Sequence, residues 1–263
     1  MITYVIPTLW KDPNIYKTFK SFSSINDPNA KMVVINNTNI VKGYTDPRIE
    51  FVNLGYNSFV NSAWNLGVHK SQTEYVCLLN DDIIIDLKTL HNFIIEQKPE
   101  FTGFSYLNRE GQLRKDSIQL VKYNEDIMGK YGCSVNKMPL GFGQFMLFKK
   151  NNWLKIPDSM KIFHGDDIIY YYHTLILGIQ VSLIDGFKIE GNQSVTAQDW
   201  WESDIAINDT KEYIKWLSKN DMETVVGVQY PESHCNYKIV WKKDDFDFKW
   251  KIEEKMNKRI KEW

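Results

Sequence analysis

The run Tyr75-Val76-Cys77-Leu78-Leu79-Asn80-Asp81-Asp82 constrains this chain more than any other stretch. Five consecutive apolar residues read as a strand covered on both faces. Such a strand belongs in the interior of an open α/β sheet. The amide and two acids that end it fall beyond the C-terminal end of the strand, where open sheets receive ligands. Hard oxygen donors clustered there suit Mg²⁺ or Mn²⁺, and those ions suit a diphosphate. A second acidic pair, Asp166-Asp167, follows His164-Gly165 and opens another periodic segment. Either pair alone reads equally well as a helix cap or as solvated loop acids. Together they point to a metal site and a separate catalytic carboxylate.

Composition narrows the class. Hydrophobic residues make up 43% of the 263, so the chain is globular and can bury a real core. A net charge of -1 argues against coating nucleic acid by bulk electrostatics. Cys77, Cys133 and Cys235 lie far apart without metal-ligand spacing, which fits a reducing compartment with Cys77 as a small core residue. No run approaches about eighteen uninterrupted apolar residues, so no integral membrane segment is expected. The N-terminus has no signal-peptide pattern and already reads as a core strand. The expected location is the cytoplasm.

Along the chain, strands are expected over 2–6, 31–35, 48–54 and 75–79, with helices over 15–25, 59–69 and 86–97. That rhythm is a parallel, nucleotide-binding half over 1–100. The second half, 101–241, is less regular. Strands are expected near 101–106, 144–148 and 181–184, and helices over 166–177 and 203–219. The polar stretch 111–137 has no clear assignment. Residues 242–263 alternate charges with apolar residues and read as an amphipathic helical extension.

The order of motifs resembles family-2 glycosyltransferases of the GT-A fold. It rests on Val5-Ile6-Pro7-Thr8, on Asn61-Ser62-Ala63-Trp64-Asn65-Leu66-Gly67, and on Leu78-Leu79-Asn80-Asp81-Asp82. The second half adds Gly141-Phe142-Gly143-Gln144-Phe145-Met146-Leu147-Phe148-Lys149-Lys150, then Phe163-His164-Gly165-Asp166-Asp167 and Gly178. The resemblance implies a Rossmann-like, mostly parallel central sheet flanked by helices, with a donor half and an acceptor half in one domain.

It also implies roles. Pro7 and Thr8 would lie beside the nucleotide, Asn36 or Asn37 near its base, and Asn61 and Asn65 along the nucleotide-sugar pocket. Family strands usually end in an acid where Asn36-Asn37 stand, which leaves the choice of base open. Asn80-Asp81-Asp82 aligns with the family's Asp-x-Asp metal motif, with Asp82 expected on the metal, Asp81 as its substitute and Asn80 near ribose. Asp166-Asp167 aligns with the acidic pair that carries the general base, expected at Asp167. His234 is a candidate late metal ligand. His164, beside the acidic pair, is expected to tune Asp166, to contact the acceptor, or merely to turn the chain with Gly165. Trp200 and Trp201 are candidate acceptor contacts, since aromatic faces stack on sugars and bases alike.

The implied reaction is metal-dependent, inverting transfer from a nucleoside diphosphate sugar, with UDP-sugars the leading donors and Mn²⁺ or Mg²⁺ the cofactor. The acceptor is expected to be a saccharide or glycoconjugate. The compact composition also resembles phage-encoded enzymes, so hydroxymethylated pyrimidines in phage DNA are the alternative acceptor, in a bacterial or phage-infected cell. Two readings from other classes remain: a non-catalytic nucleotide-sugar or glycan-binding module, suggested by Asn80 in an acidic place, and a metal-dependent hydrolase or nuclease. The absence of matching His and Asp ligands around the first strand weighs against the last.

Overall fold

The computed structural model describes residues 1–104, 118–124, 139, 142–191, 203–220, 227–228 and 237–238. Trp200, Trp201, His234 and the extension over 242–263 lie outside the described residues.

The first half builds as its apolar runs dictate. Strands β1 (Ile2–Thr8), β2 (Lys31–Asn36), β3 (Ile49–Asn53) and β4 (Tyr75–Leu79) pair in parallel, joined by helices α1 (Ile15–Ser23) and α2 (Phe59–Lys70). A short strand β5 (Ile83–Ile85) precedes α3 (Leu87–Gln97). The second half adds β6 (Phe101–Phe104), β7 (Gln119–Lys122), β8 (Phe145–Lys149) and β9 (Ser182–Asp185) to the same sheet, in the order β3-β2-β1-β4-β8-β6-β9-β7. Only β8 and β7 run against the rest. The expected α/β sheet, mostly parallel and flanked by helices, is what forms.

Alternation along the central strands divides the core into two layers. Ile2, Tyr4 and Ile6 of β1, with Tyr75, Cys77 and Leu79 of β4, pack on the face carrying Ile15, Phe19 and Phe22 of α1 and Leu87, Leu90 and Ile94 of α3. Val5, Val76 and Leu78 face the other way, onto Trp64 and Val68 of α2. The same layer takes in helix α4 (Gly165–Tyr171) through Ile168 and Ile169, and helix α5 (Asp204–Lys219) through Tyr213, Ile214 and Leu217. Helix α2 lies so close to β1 that a Cβ at Gly67 would sit 2.1 Å from Val5 Cγ1. Only glycine fits that approach.

Two features differ from the sequence reading. The single helix expected over 166–177 is α4 followed by a wider π-helical turn, Tyr172–Ile176. His173 of that turn is buried, with Nδ1 on the Ile169 carbonyl oxygen at 2.8 Å and its ring flat on Phe101. Burial holds this imidazole down at about 4. The other is β5, which pairs antiparallel with β10 (Ile189–Gly191) in a small second sheet. A three-residue strand whose partner lies so far along the chain has no local signature.

Candidate active site

The ends of β1, β2 and β4 converge with the start of β8. Thr8 and Asn36 are paired at the last register position of β1 and β2. On the other side the β4–β8 ladder continues past Leu79, where Asn80 N–H donates to the Gln144 carbonyl oxygen at 3.1 Å. The acids that follow β4 are therefore set beside β1 and β8 by ladder geometry.

Asp81 is the acid brought to β1. The buried Thr8 hydroxyl donates to Asp81 Oδ2 at 2.6 Å. Burial lifts the Asp81 carboxyl above its usual range, opposed by the Thr8 hydroxyl and by the Leu9 N–H. Asp82 is 7% exposed at the entrance to β5. No group of three or more His, Cys, Asp or Glu residues able to hold a metal exists among the described residues. Two hard carboxylates at a strand end still fit Mg²⁺ or Mn²⁺, because those ions keep waters and take substrate phosphate oxygens for the rest of their shell.

The asparagines expected around the nucleotide are mostly occupied within the chain. Asn36 Oδ1 accepts from Trp10 Nε1, Thr38 N and Thr38 Oγ1, while its Nδ2 donates to the Ile40 carbonyl oxygen and Asn53 Oδ1. An amide so saturated has nothing to offer a base. It is a brace for the strand ends, not the base contact expected. Trp10, which the motif reading passed over, completes the brace. Its backbone is left-handed (φ 57) and its indole lies stacked against Tyr16 and Phe51. Asn37 Oδ1 accepts from the Ser58 hydroxyl at 2.7 Å and ties β2 to the start of α2. Pro7 is buried within β1 opposite Ile35.

Asn61 and Asn65 of α2 also depart from expectation. Asn61 is fully buried, donating from its backbone N–H to the Lys161 carbonyl oxygen and from Nδ2 to that of Phe163. Asn65 exchanges two hydrogen bonds with the backbone of Ile156, at 2.8 and 2.9 Å. Both hold the segment leading to the second acidic pair.

That segment is held from the opposite side by α5. Asp209 is fully buried and accepts from three successive N–H groups, Lys161 through Oδ1 and Ile162 and Phe163 through Oδ2, at 2.7–2.9 Å. Asn208 Nδ2 reaches the Ser159 carbonyl oxygen. The chain then passes through His164 in a left-handed conformation (φ 60) and enters α4 at Gly165. A Cβ at Gly165 would lie 2.1 Å from Asn61 Oδ1. Asp209 is the supporting residue that sequence reasoning missed. Its one local sign is an acid in register with Tyr213 and Leu217 on the buried face of a helix.

The two acids of α4 face different surroundings. Asp166 leans on the start of β8: a Cβ at Gly143 would fall 2.2 Å from its Oδ2. Burial, then the neighbouring Asp167 charge, push Asp166 up to about 6. Asp167 Oδ2 lies 2.7 Å from His164 Nδ1. His164 is 9% exposed, stacks flat on Tyr213 at 4.5 Å, and places Nε2 3.1 Å from Thr210 Oγ1.

A mostly parallel sheet in this order, with Asp81 and Asp82 behind β4 and Asp166 and Asp167 at the start of α4, has the form of a GT-A domain. The chain belongs to glycosyl transferase family 2, whose profile matches residues 3–152, and it is a glycosyltransferase. Members of that family typically use a divalent metal. Among curated proteins, no sequence matches significantly. Solved structures share the fold at low identity. One is Staphylococcus aureus TarS 1-349 in complex with UDP-GlcNAc (13% identity, TM-score 0.56, 89% of this chain and 68% of that one). Another is a mycobacterial protein (12%, TM-score 0.52, 92% and 83%). Against another S. aureus TarS structure (14%, TM-score 0.51) the match covers 83% of this chain but 43% of that one. No helix among the described residues is long and apolar enough to cross a membrane.

Proposed function

We propose that this chain transfers a sugar from a nucleoside diphosphate donor to an acceptor hydroxyl with inversion, using Asp81 and Asp82 on the donor side and Asp167 as general base. One observation carries the reading most directly: both acidic pairs meet the segment that enters β8, Asp81 following Asn80, whose N–H is on the Gln144 carbonyl oxygen, and Asp166 lying against Gly143. UDP-sugars are the first donors to test, because TarS structures matched by this fold contain UDP or UDP-GlcNAc. A saccharide or glycoconjugate is the leading acceptor, and hydroxymethylated pyrimidine DNA the next.

On this reading Asp81 and Asp82 would hold Mg²⁺ or Mn²⁺ together with the diphosphate, and His234 remains a further candidate ligand. The bound ion would supply charge neutralisation of the leaving diphosphate. Thr8 fixes the Asp81 carboxylate, so the donor-side charge is preset before substrate arrives. Asp167 takes the proton of the acceptor hydroxyl as that oxygen bonds to the anomeric carbon. The bond from the anomeric carbon to the diphosphate oxygen breaks, and its electron pair leaves with the nucleoside diphosphate. A positioned carboxylate base contributes roughly 10²–10⁴-fold. Trp200 and Trp201 are retained as an acceptor platform.

A second reading of the base has its own support. Asp166, raised to about 6, matches the pH at which a base is both available and strong enough to act. Nucleotide release should be measured with UDP-, GDP-, dTDP- and CMP-sugars and Mn²⁺, with oligosaccharides or hydroxymethylcytosine DNA as acceptor. Release stimulated by one acceptor class and abolished in Asp82→Ala and Asp81→Ala supports the transferase. Folded protein that releases nucleotide from no donor would favour a binding module instead.

A further inference from the structure

We infer that His164 is the positioning residue of the acceptor-side base: with a hydrogen on each ring nitrogen, it ties the Asp167 carboxylate to helix α5. The inference rests on the reading of Asp167 as the base. Of the duties the sequence suggests for His164, tuning Asp166 or touching the acceptor, it takes neither and assigns the side chain to Asp167.

The hydrogens can be counted. Thr210 Oγ1 donates to the Ala206 carbonyl oxygen of the preceding helical turn at 2.7 Å. That hydroxyl has one hydrogen, so toward His164 Nε2, at 3.1 Å, it can only accept. Nε2 therefore carries a hydrogen. Nδ1 faces Asp167 Oδ2 at 2.7 Å, and two lone pairs cannot meet at that distance, so a second hydrogen lies between them. A general base must be ionised, so with Asp167 as the base that second hydrogen belongs to Nδ1, and the ring donates from both nitrogens to its two partners.

The pair is fixed in place. Tyr213 covers one face of the ring at 4.5 Å, with planes 5° apart. The left-handed backbone at 164 aims the side chain back across the first turn of α4. Asp209, one residue before Thr210, anchors the three N–H groups just upstream. The titratable groups facing the ring are Asp166 and Asp167 from α4 and Tyr213 from α5. With Oδ2 held by Nδ1–H, Asp167 Oδ1 is the oxygen left for an acceptor hydroxyl, and turning the carboxylate costs that hydrogen bond.

The test combines a ring signature with kinetics on the full chain. Histidine-selective ¹⁵N labelling should show a directly bonded hydrogen on both nitrogens of His164 at pH 7.5, and on one only in Asp167→Asn. A wild-type ring with a single bonded hydrogen would overturn the inference. Asn accepts left-handed backbone readily and places an amide N–H near the Nδ1 position. His164→Asn should keep donor KM and lose less than about 10-fold in kcat, whereas His164→Gln should lose about 10-fold or more. Full kcat in both variants would overturn it too. If Asp167→Asn turns over normally while the wild-type ring carries both hydrogens, the base assignment itself fails. His164 then positions no base, and that result is separable from a failed ring signature.

Discussion

Asn36 and Asp209 are both fully buried polar side chains, and each collects its region's hydrogen bonds. Asn36 ties Trp10, Thr38, Ile40 and Asn53, all within the first β-α-β units and all close to strand ends that are already paired. Asp209 instead takes three N–H groups from a segment 46 to 48 positions earlier, which has no sheet of its own to lie in. The first half is thus fixed by strand ladders and trimmed by side chains. The segment leading to α4 is suspended between α2 and α5 by one backbone bond from Asn61 and otherwise by side chains. A ladder distributes its constraint over many bonds; a tether concentrates it in one residue.

The sharpest way to test this division is a pair of acid substitutions. Asp167→Asn should leave donor KM unchanged and lower turnover about 10²-fold or more. Asp81→Asn should act mainly on the donor, raising its KM and its metal requirement, because its partner Thr8 belongs to β1. If the two variants gave the same KM and kcat pattern, the two sides would not be separable and the comparison would break.

The tether itself comes next. In Asp209→Asn an amide NH₂ replaces one acceptor oxygen and meets backbone N–H groups, leaving at least one buried donor without a partner. The expected loss is about 2–3 kcal/mol of stability. A fall of about 10-fold in kcat should accompany it, with donor KM retained, since α4 loses its fixed entry. Asn36→Ala should destabilise comparably but raise donor KM. Urea unfolding with steady-state kinetics reads both, and an Asp209→Asn enzyme with wild-type kcat would remove the tether from the mechanism.

A smaller effect is expected at Gly143. A methyl there would meet Asp166 Oδ2 at 2.2 Å, and the carboxylate must rotate away from β8. Gly143→Ala should lower kcat several-fold if Asp166 is the base and little if Asp167 is, so it arbitrates between the two acids.

This contrast also explains what could be read from the chain beforehand. Strands β1, β2 and β4 announce themselves as apolar runs, and their ends announce a ligand site, because the information is contiguous. The acids at 81, 82, 166 and 167 stand out as candidates for the same reason. The duties of Asn61 and Asn65 were not: a helix motif that resembles a nucleotide-sugar border is here turned toward backbone at 156–163. Nor was the β5–β10 ladder, or the pairing of His164 with Thr210, since each depends on which distant element lands opposite. Local pattern fixes elements; tertiary placement decides what a polar side chain on them meets.

The two regions should also respond to pH with opposite sign. In the first half the Arg48 guanidinium, 2.8 Å from Asp46, holds that carboxyl well below its ordinary value of 3.8. Its stabilisation is present above that value and is lost progressively as pH falls below it toward the lowered folded-state value. Asp166 is raised from 3.8 to about 6, by burial first and Asp167 second. The folded chain therefore binds that proton more tightly than the unfolded chain does. Its contribution is favourable below about pH 4 and is lost as pH rises to about 6, leaving a neutral-pH penalty. Two pKa units correspond to about 3 kcal/mol, and the solvent reaching this half-buried side chain reduces that to about 1–2. Asp166→Asn should therefore raise the urea midpoint at pH 7 and leave it unchanged at pH 4, whereas Asp46→Asn should lower it at pH 7. A gain in Asp166→Asn that is equal at both pH values would mean the substitution acts through packing against Gly143 and not through the carboxyl charge.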